Sequence, residues 1–334
     1  MIIDFICRNR DIKVGTYRIL VHDLANVLFK LGNDVQIHQS VSTTRKDAVL
    51  IYSKGDVSLY NPLDNRICGA ISLSSDSNQK FDFSIVNSTE EKKSVEHLAK
   101  ETVIINLVEA MYQDSELKNH QKKENIVLGY HGSYTHLSKL KYGFVEAFNY
   151  LIQKGVNIHL NCLTNNSQMS FEILREIGIN KAHVSFSDWD FKTAKNYISQ
   201  FDIGILPNLT SLTEETDLLK KIDNKTGMYN TDYIFRFKNK SNPGRSFVFN
   251  QLGIPVITDL TPSMMPMYFD EKCGSVVTNA HTWLRAIDRF TDPQERNSAS
   301  QIAHNRFIEL YNMEKDALEL ISSIERIIHN KRNN

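Results

Sequence analysis

Short apolar, β-branched runs alternate with segments of helical spacing along nearly the whole chain. The run 2–7 reads as a buried strand. After the turn Val14-Gly15-Thr16, the residues Ile19, Leu20, Leu24, Val27, Leu28 and Leu31 recur one, three and four apart, which predicts an amphipathic helix. Gly32 and Asn33 stop it, and 35–38 reads as the next strand. Further strand-like runs fall at 48–52, 68–73, 83–86 and 103–108, with helical spacing near 94–100. The polar stretch 113–124 breaks the rhythm and reads as an interdomain linker. The pattern then restarts with strands at 126–130, 156–163, 183–186 and 203–206 and helices at 139–153, 171–177 and 192–199 between them. After a long loop come a helix at 246–252, strands at 254–258 and 275–278, and helices to the end. Strands alternating with helices predict parallel sheets covered on both faces. The expected class is α/β, two Rossmann-like doubly wound units facing across a cleft, because open α/β sheets bind ligands at the carboxyl ends of their strands.

Length agrees with two cores: 334 residues exceed what one usually organises. Thirty-nine basic residues balance thirty-nine acidic ones, which argues against broad electrostatic binding of nucleic acid. Any anion site must therefore be local. Cys7, Cys68, Cys162 and Cys273 form no CxxC pair, so free thiols in a reducing compartment are expected and a zinc motif is not. No apolar run approaches the roughly 18 residues that span a bilayer, and the N-terminus reads as a strand in place of a signal peptide. Cytoplasmic residence follows as the expectation, and the sequon Asn208-Leu-Thr is expected to be irrelevant.

The densest candidate chemistry lies between residues 238 and 258. There Lys238, Lys240 and Arg245 surround the start of a helix that ends at Gly253 before an apolar strand. A helix N-terminus offers N–H groups and a positive dipole end, so a phosphate or diphosphate is the natural guest. Ser241 or Asn242 reads as the N-cap, with Pro243 first in the helix, a role compatible with anion binding. His131-Gly132-Ser133 follows a strand directly. Gly132 permits close backbone approach, and Ser133 could bind a phosphate or sugar or serve only the turn. Trp189 reads as a core tryptophan, with Asp188 and Asp190 as capping residues. Gly15, Thr16 and Arg18, flanked by Arg8 and Arg10, occupy the first strand-to-helix loop. No P-loop, HExxH or Gly-x-Gly-x-x-Gly follows a strand, which counts against a dinucleotide dehydrogenase.

Four stretches resemble GT-B glycosyltransferases of the retaining family-4 type. The Gly15 turn with its leucine-rich helix resembles their first loop and helix, and Ile126-Val-Leu-Gly-Tyr-His-Gly-Ser133 the strand and loop opening their C-terminal domain. Phe201-Asp-Ile-Gly-Ile-Leu-Pro-Asn208 resembles their "aDigl.P" strand, and Lys240 to Thr258 their "K.SN…G.PVI" diphosphate element. The chain departs from the family at its glutamate pair, where Lys240 and Val248 stand.

The resemblance implies an acceptor-side domain at 1–118, a nucleotide-sugar domain at 125–293, and helices at 294–334 packing back on the first domain. It implies sugar transfer from a UDP- or GDP-linked donor to a glycan or lipid-linked acceptor in surface polysaccharide or glycoconjugate synthesis. Lys240 and Arg245 would stabilise the leaving diphosphate, and no metal or other cofactor would be needed. Donor contacts would come from His131, Gly132, Ser133, Trp189, Pro207, Asn208, Ser241, Asn242 and Ser246, and acceptor-side contacts from Gly15, Thr16 and Arg18. Peripheral membrane contact at the inner face is compatible with this reading. A nucleotide-sugar 2-epimerase and a non-catalytic nucleotide-sugar-binding subunit are the alternatives.

Overall fold

The computed structural model describes residues 1–74, 77–141, 143–208 and 242–333. The chain divides into two compact units, Met1–Ala110 with Tyr311–Asn334, and Met111–Leu310. Each is a six-stranded parallel sheet with helices.

In the first unit, β1 (Ile2–Ile6), β2 (Asp34–His38), β3 (Val49–Tyr52), β4 (Cys68–Ile71), β5 (Phe81–Val86) and β6 (Ala99–Ile104) run in the order β2-β1-β3-β4-β5-β6. β3 and β4 are buried at every residue, as unbroken apolar runs require in a sheet covered on both faces. The helical segment expected near 94–100 lies earlier, at Thr89–Val95, and Ala99–Ile104 is an edge strand. Ser88 sets this boundary: its hydroxyl accepts the Glu91 N–H, and Glu90 and Glu91 occupy the positive first turn. The last helix, Met313–Asn333, returns to this unit and buries Ala317, Leu320 and Ile324 in its core. Asp316 on that helix accepts the Asn106 backbone N–H at 2.8 Å.

The second unit contains β7 (Ile126–Gly132), β8 (Ile158–Thr164), β9 (Val184–Asp188), β10 (Ile203–Leu206), β11 (Val256–Asp259) and β12 (Gly274–Val277), ordered β12-β11-β10-β7-β8-β9. Leu128, Leu160, Ile203 and Ile257 meet Phe144, Phe148 and Trp283 in one core. Gly129 is needed for its lack of a side chain, since a Cβ there would lie 1.9 Å from the Phe201 ring.

The helix Pro293–Leu310 belongs to this second unit, where Phe307 packs on Phe247 with ring centroids 5.2 Å apart. The stretch read as a linker, 113–124, is instead a strap bonded to the second unit. Lys118 donates its backbone N–H to Leu252 and its ammonium to the Ser199 and Phe201 carbonyls. His120 donates from Nε2 to the Gly253 carbonyl at 2.8 Å and accepts from buried Arg296 at Nδ1. At Lys118 and His120 the polarity serves hydrogen bonds inside the unit, whereas Gln113, Asp114, Glu116 and Gln121 to Glu124 face solvent, and sequence pattern does not tell the two apart. Among the described residues no helix is long and apolar enough to cross a membrane.

Candidate functional site

Strand order reverses in the second unit between β7 and β10, so connections leave the sheet in opposite directions there and open a crevice at the carboxyl ends. The residues following those two strands are Ser133 and Pro207-Asn208. Arg245, second residue of the helix Gly244–Gln251, meets β7 at Tyr130 and the end of β10 at Asn208. Its guanidinium lies over the Tyr130 ring, 5.4 Å from the centroid, and Nη2 donates to Asn208 Oδ1 at 3.0 Å. His131 Nε2 donates to the Arg245 carbonyl at 3.0 Å, joining the end of β7 to the start of the helix. The Tyr130 hydroxyl donates to the Ser133 carbonyl at 2.6 Å and shapes the loop beyond.

Two donors in this cluster are buried and unpaired among the described residues: Arg245 Nη1 and Asn208 Nδ2. A buried N–H without an acceptor costs about 1–3 kcal/mol, so such groups mark strain or a missing ligand. Both belong to side chains already bonded to each other, and both require an acceptor, one of them beside a fixed positive charge. The arrangement can hold an anionic oxygen.

The helix start itself differs from expectation. Pro243 is the capping residue and Gly244 the first helical one. The Asn242 carboxamide oxygen accepts the Gly244 N–H, while the Pro243 carbonyl accepts the N–H groups of Ser246 and Phe247. The Ser246 hydroxyl is fully buried and donates to the Pro243 carbonyl at 2.6 Å. These groups shape the turn, and the helix offers a ligand its dipole more than free N–H groups. Lys238, Lys240 and Ser241 lie outside the described residues.

Gly132 has φ +130°, and a Cβ there would sit 2.9 Å from Arg245 Cδ. Gly132→Ala is therefore expected to lower the unfolding free energy by about 1–3 kcal/mol, through backbone strain and the close approach to Arg245, as read by urea denaturation. An unchanged midpoint and slope would show that the loop relaxes freely.

His131 is buried, and its pKa is pushed down to about 4, chiefly by desolvation and against the help of the Arg245 carbonyl. It is neutral at pH 7 and its Nε2 proton is committed, which suits an anchor better than an acid or base. Ser133 Oγ is paired with Thr135 Oγ1 at 2.9 Å. Trp189 follows β9, is half-buried, and donates its backbone N–H to the Thr164 carbonyl. Asp188 accepts the Ser167 N–H and Asp190 the Lys192 N–H, so both carboxylates act in turns and caps. Among the described residues no cluster of His, Cys, Asp and Glu could hold a metal ion.

In the first unit the arginines are engaged locally. Arg18, 6% exposed, pairs with Glu109 at 2.7 Å and donates to the Ile12 carbonyl, which pins the loop before Gly15 and Thr16. Arg8 pairs with Asp56, and Arg10 donates to the Ile37 carbonyl. Sequence reasoning missed Glu109 because it lies 91 positions from Arg18. It also missed Tyr130 and Asp259, whose carboxylate accepts the Asn208 N–H at 2.5 Å. An aromatic residue and an acid at strand ends were the available signals.

No protein-family model and no curated protein sequence matches this chain. Solved structures do. HepE from Anabaena, in complex with UDP and glucose, superposes with TM-score 0.62 at 12% identity over 98% of this chain and 100% of its own. WaaG, a glycosyltransferase involved in lipopolysaccharide biosynthesis, gives 0.57 at 10% identity over 96% and 98%. TarM gives 0.57 at 9% identity over 90% of this chain, which spans 58% of TarM.

The fold is GT-B. At these identities the likeness concerns the fold alone, with two Rossmann-like units as the strand orders show.

Proposed function

We propose that this protein is a glycosyltransferase that takes its donor as a UDP-linked sugar. The diphosphate would lie at the β7/β10 crevice, against Arg245, Asn208 and the start of the Gly244–Gln251 helix. The acceptor class proposed is a glycan or lipid-linked sugar of surface polysaccharide or glycoconjugate synthesis. The observation that carries the donor reading is the pair of buried, unpartnered donors, Arg245 Nη1 and Asn208 Nδ2. HepE, of the same fold, was solved with UDP and glucose, which supports uracil as the first base to try.

In this reading, charge developing on the leaving diphosphate is stabilised by a guanidinium already held in place. Donors fixed in advance need no reorganisation during reaction, and that is usually the largest single catalytic contribution. Lys240 would add a second cation, and we propose retention of anomeric configuration. His131 holds the helix start and carries no proton in the reaction.

Thermal-shift measurements with UDP, GDP, CMP and dTDP test the donor reading, since a ligand of the folded state raises its melting temperature. Stabilisation by UDP is expected, and stabilisation by none of the four would contradict the proposal. Sugar transfer should also persist in EDTA, because the proposed anion site is built from arginine, amide and helix dipole. Loss of transfer in EDTA with recovery on adding Mn²⁺ would show that a cation performs the role proposed for Arg245.

A further inference from the structure

The strand end that carries Asn208 is held in an unusual way. β10 and β11 pair in parallel up to Leu206 opposite Thr258. The next residue of β10 is Pro207, which has no N–H, so the backbone ladder cannot continue there. At Asn208 the N–H is satisfied by a side chain, Asp259 Oδ2, at 2.5 Å. Both residues are more than nine-tenths buried, Asn208 at 7% exposure and Asp259 at 2%. A hydrogen bond this short, to an oxygen held in a buried side chain, fixes the backbone from which the Asn208 carboxamide projects. That carboxamide gives its oxygen to Arg245 Nη2 at 3.0 Å and leaves its own Nδ2 unpaired, as Arg245 Nη1 also is.

We infer that Asp259 is a positioning residue for the donor phosphates, acting through the Asn208 backbone on the Asn208–Arg245 donor pair. The inference rests on the donor reading above. Asp259 itself touches no phosphate. It determines where the carboxamide stands, and so whether two N–H groups point at one acceptor or one of them turns away. The role needs an acceptor oxygen at the Asp259 position and does not need its charge. Asn at 259 still supplies that oxygen, whereas Ala and Ser do not reach.

The test is titration calorimetry of UDP and of uridine into the full-length protein, its Asp259→Ala and Asp259→Asn variants, and Arg245→Ala. Asp259→Ala is expected to weaken UDP about tenfold, the scale of one well-placed hydrogen bond to a charged group, and to leave uridine unchanged. Asp259→Asn is expected to bind UDP within about threefold of wild type. Adding Asn208→Ala to Asp259→Ala should cost little more than Asn208→Ala alone, because both act on one contact. If Asp259→Ala does not fold, Asp259→Ser carries the same expectation.

UDP binding unchanged by Asp259→Ala, while Arg245→Ala still discriminates UDP from uridine, overturns this inference alone. Equal losses in the Ala and Asn variants overturn it too, by showing that charge is what matters. Arg245→Ala that leaves UDP binding intact overturns the donor reading on which it rests.

Discussion

Acidification from pH 7 to about pH 4.5 is expected to destabilise the second unit strongly, by up to several kcal/mol. His120 and His131 are both buried, and each has its pKa pushed down to about 4, with desolvation the leading cause. His120 is further opposed by nearby Lys118 and Arg296, and its Nδ1 already accepts the Arg296 Nε–H. In the unfolded chain each would titrate near pH 6.5. Between those values the unfolded state binds more protons than the folded one, so stability falls as pH falls. The contribution of neutral histidine is complete above about pH 6.5 and gone by about pH 4. It amounts to roughly 3 kcal/mol per residue at 1.36 kcal/mol per pKa unit. His159 shifts in the same direction.

The first unit is mixed, since Asp56, Asp64 and Glu101 are held below the usual carboxylate range while two buried carboxyls move the other way. Burial raises the pKa of Glu109 and of Asp316, so their folded forms gain protons as the pH drops. Both tryptophans, Trp189 and Trp283, lie in the second unit, so tryptophan fluorescence reports on that unit. Its melting midpoint should fall steeply from pH 7 to 4.5. His120→Gln and His131→Gln should each flatten that dependence while lowering the midpoint at pH 7. A midpoint independent of pH across this range would mean that the two imidazoles are solvated in the folded state.

The fold was legible where burial is two-sided. The runs at 48–52, 126–130 and 203–206 stand out because a strand covered on both faces needs apolar residues at every position, as β3 and β10 show. The start of β6 was hidden because an edge strand reading Ala-Lys-Glu-Thr-Val-Ile keeps polar side chains on exposed positions and mimics a helical segment; its last residues fall in the strand-like run at 103–108. The strap at 113–124 was hidden for the converse reason: Lys118 and His120 are polar yet bonded inside.

At the site, the segments were legible because doubly wound sheets bring strand ends together: Gly132 and Asn208 sit at such ends, and Arg245 at the start of a helix beside them. Which side chains pair was not. Arg18 looked free beside Gly15, but Glu109 arrives from another strand end and engages it. Asp259 supports Asn208 from a position 51 residues away. Pairings of that kind depend on register and rotamer, which a residue pattern does not encode.

Replacing Arg245 by alanine is expected to weaken UDP by about ten- to a hundredfold. The guanidinium has the Tyr130 ring beneath it and Asn208 at its side, so its position is fixed before any ligand arrives. A charge-assisted hydrogen bond contributes about 1.5–3 kcal/mol, and 1.4 kcal/mol is tenfold in affinity. Arg245→Lys should recover only part of the loss, since an ammonium keeps the charge but cannot donate to Asn208 and to an anion from a planar fork. Fluorescence melts of both variants would verify that the unit remains folded.

Titration calorimetry of UDP and uridine into wild type and Arg245→Ala tests the central claim, that this crevice binds the donor through its phosphates. Wild type is expected to bind UDP far more tightly than uridine, and the substitution to remove most of that difference while uridine affinity holds. Equal loss for the two ligands, or no loss for either, would contradict it.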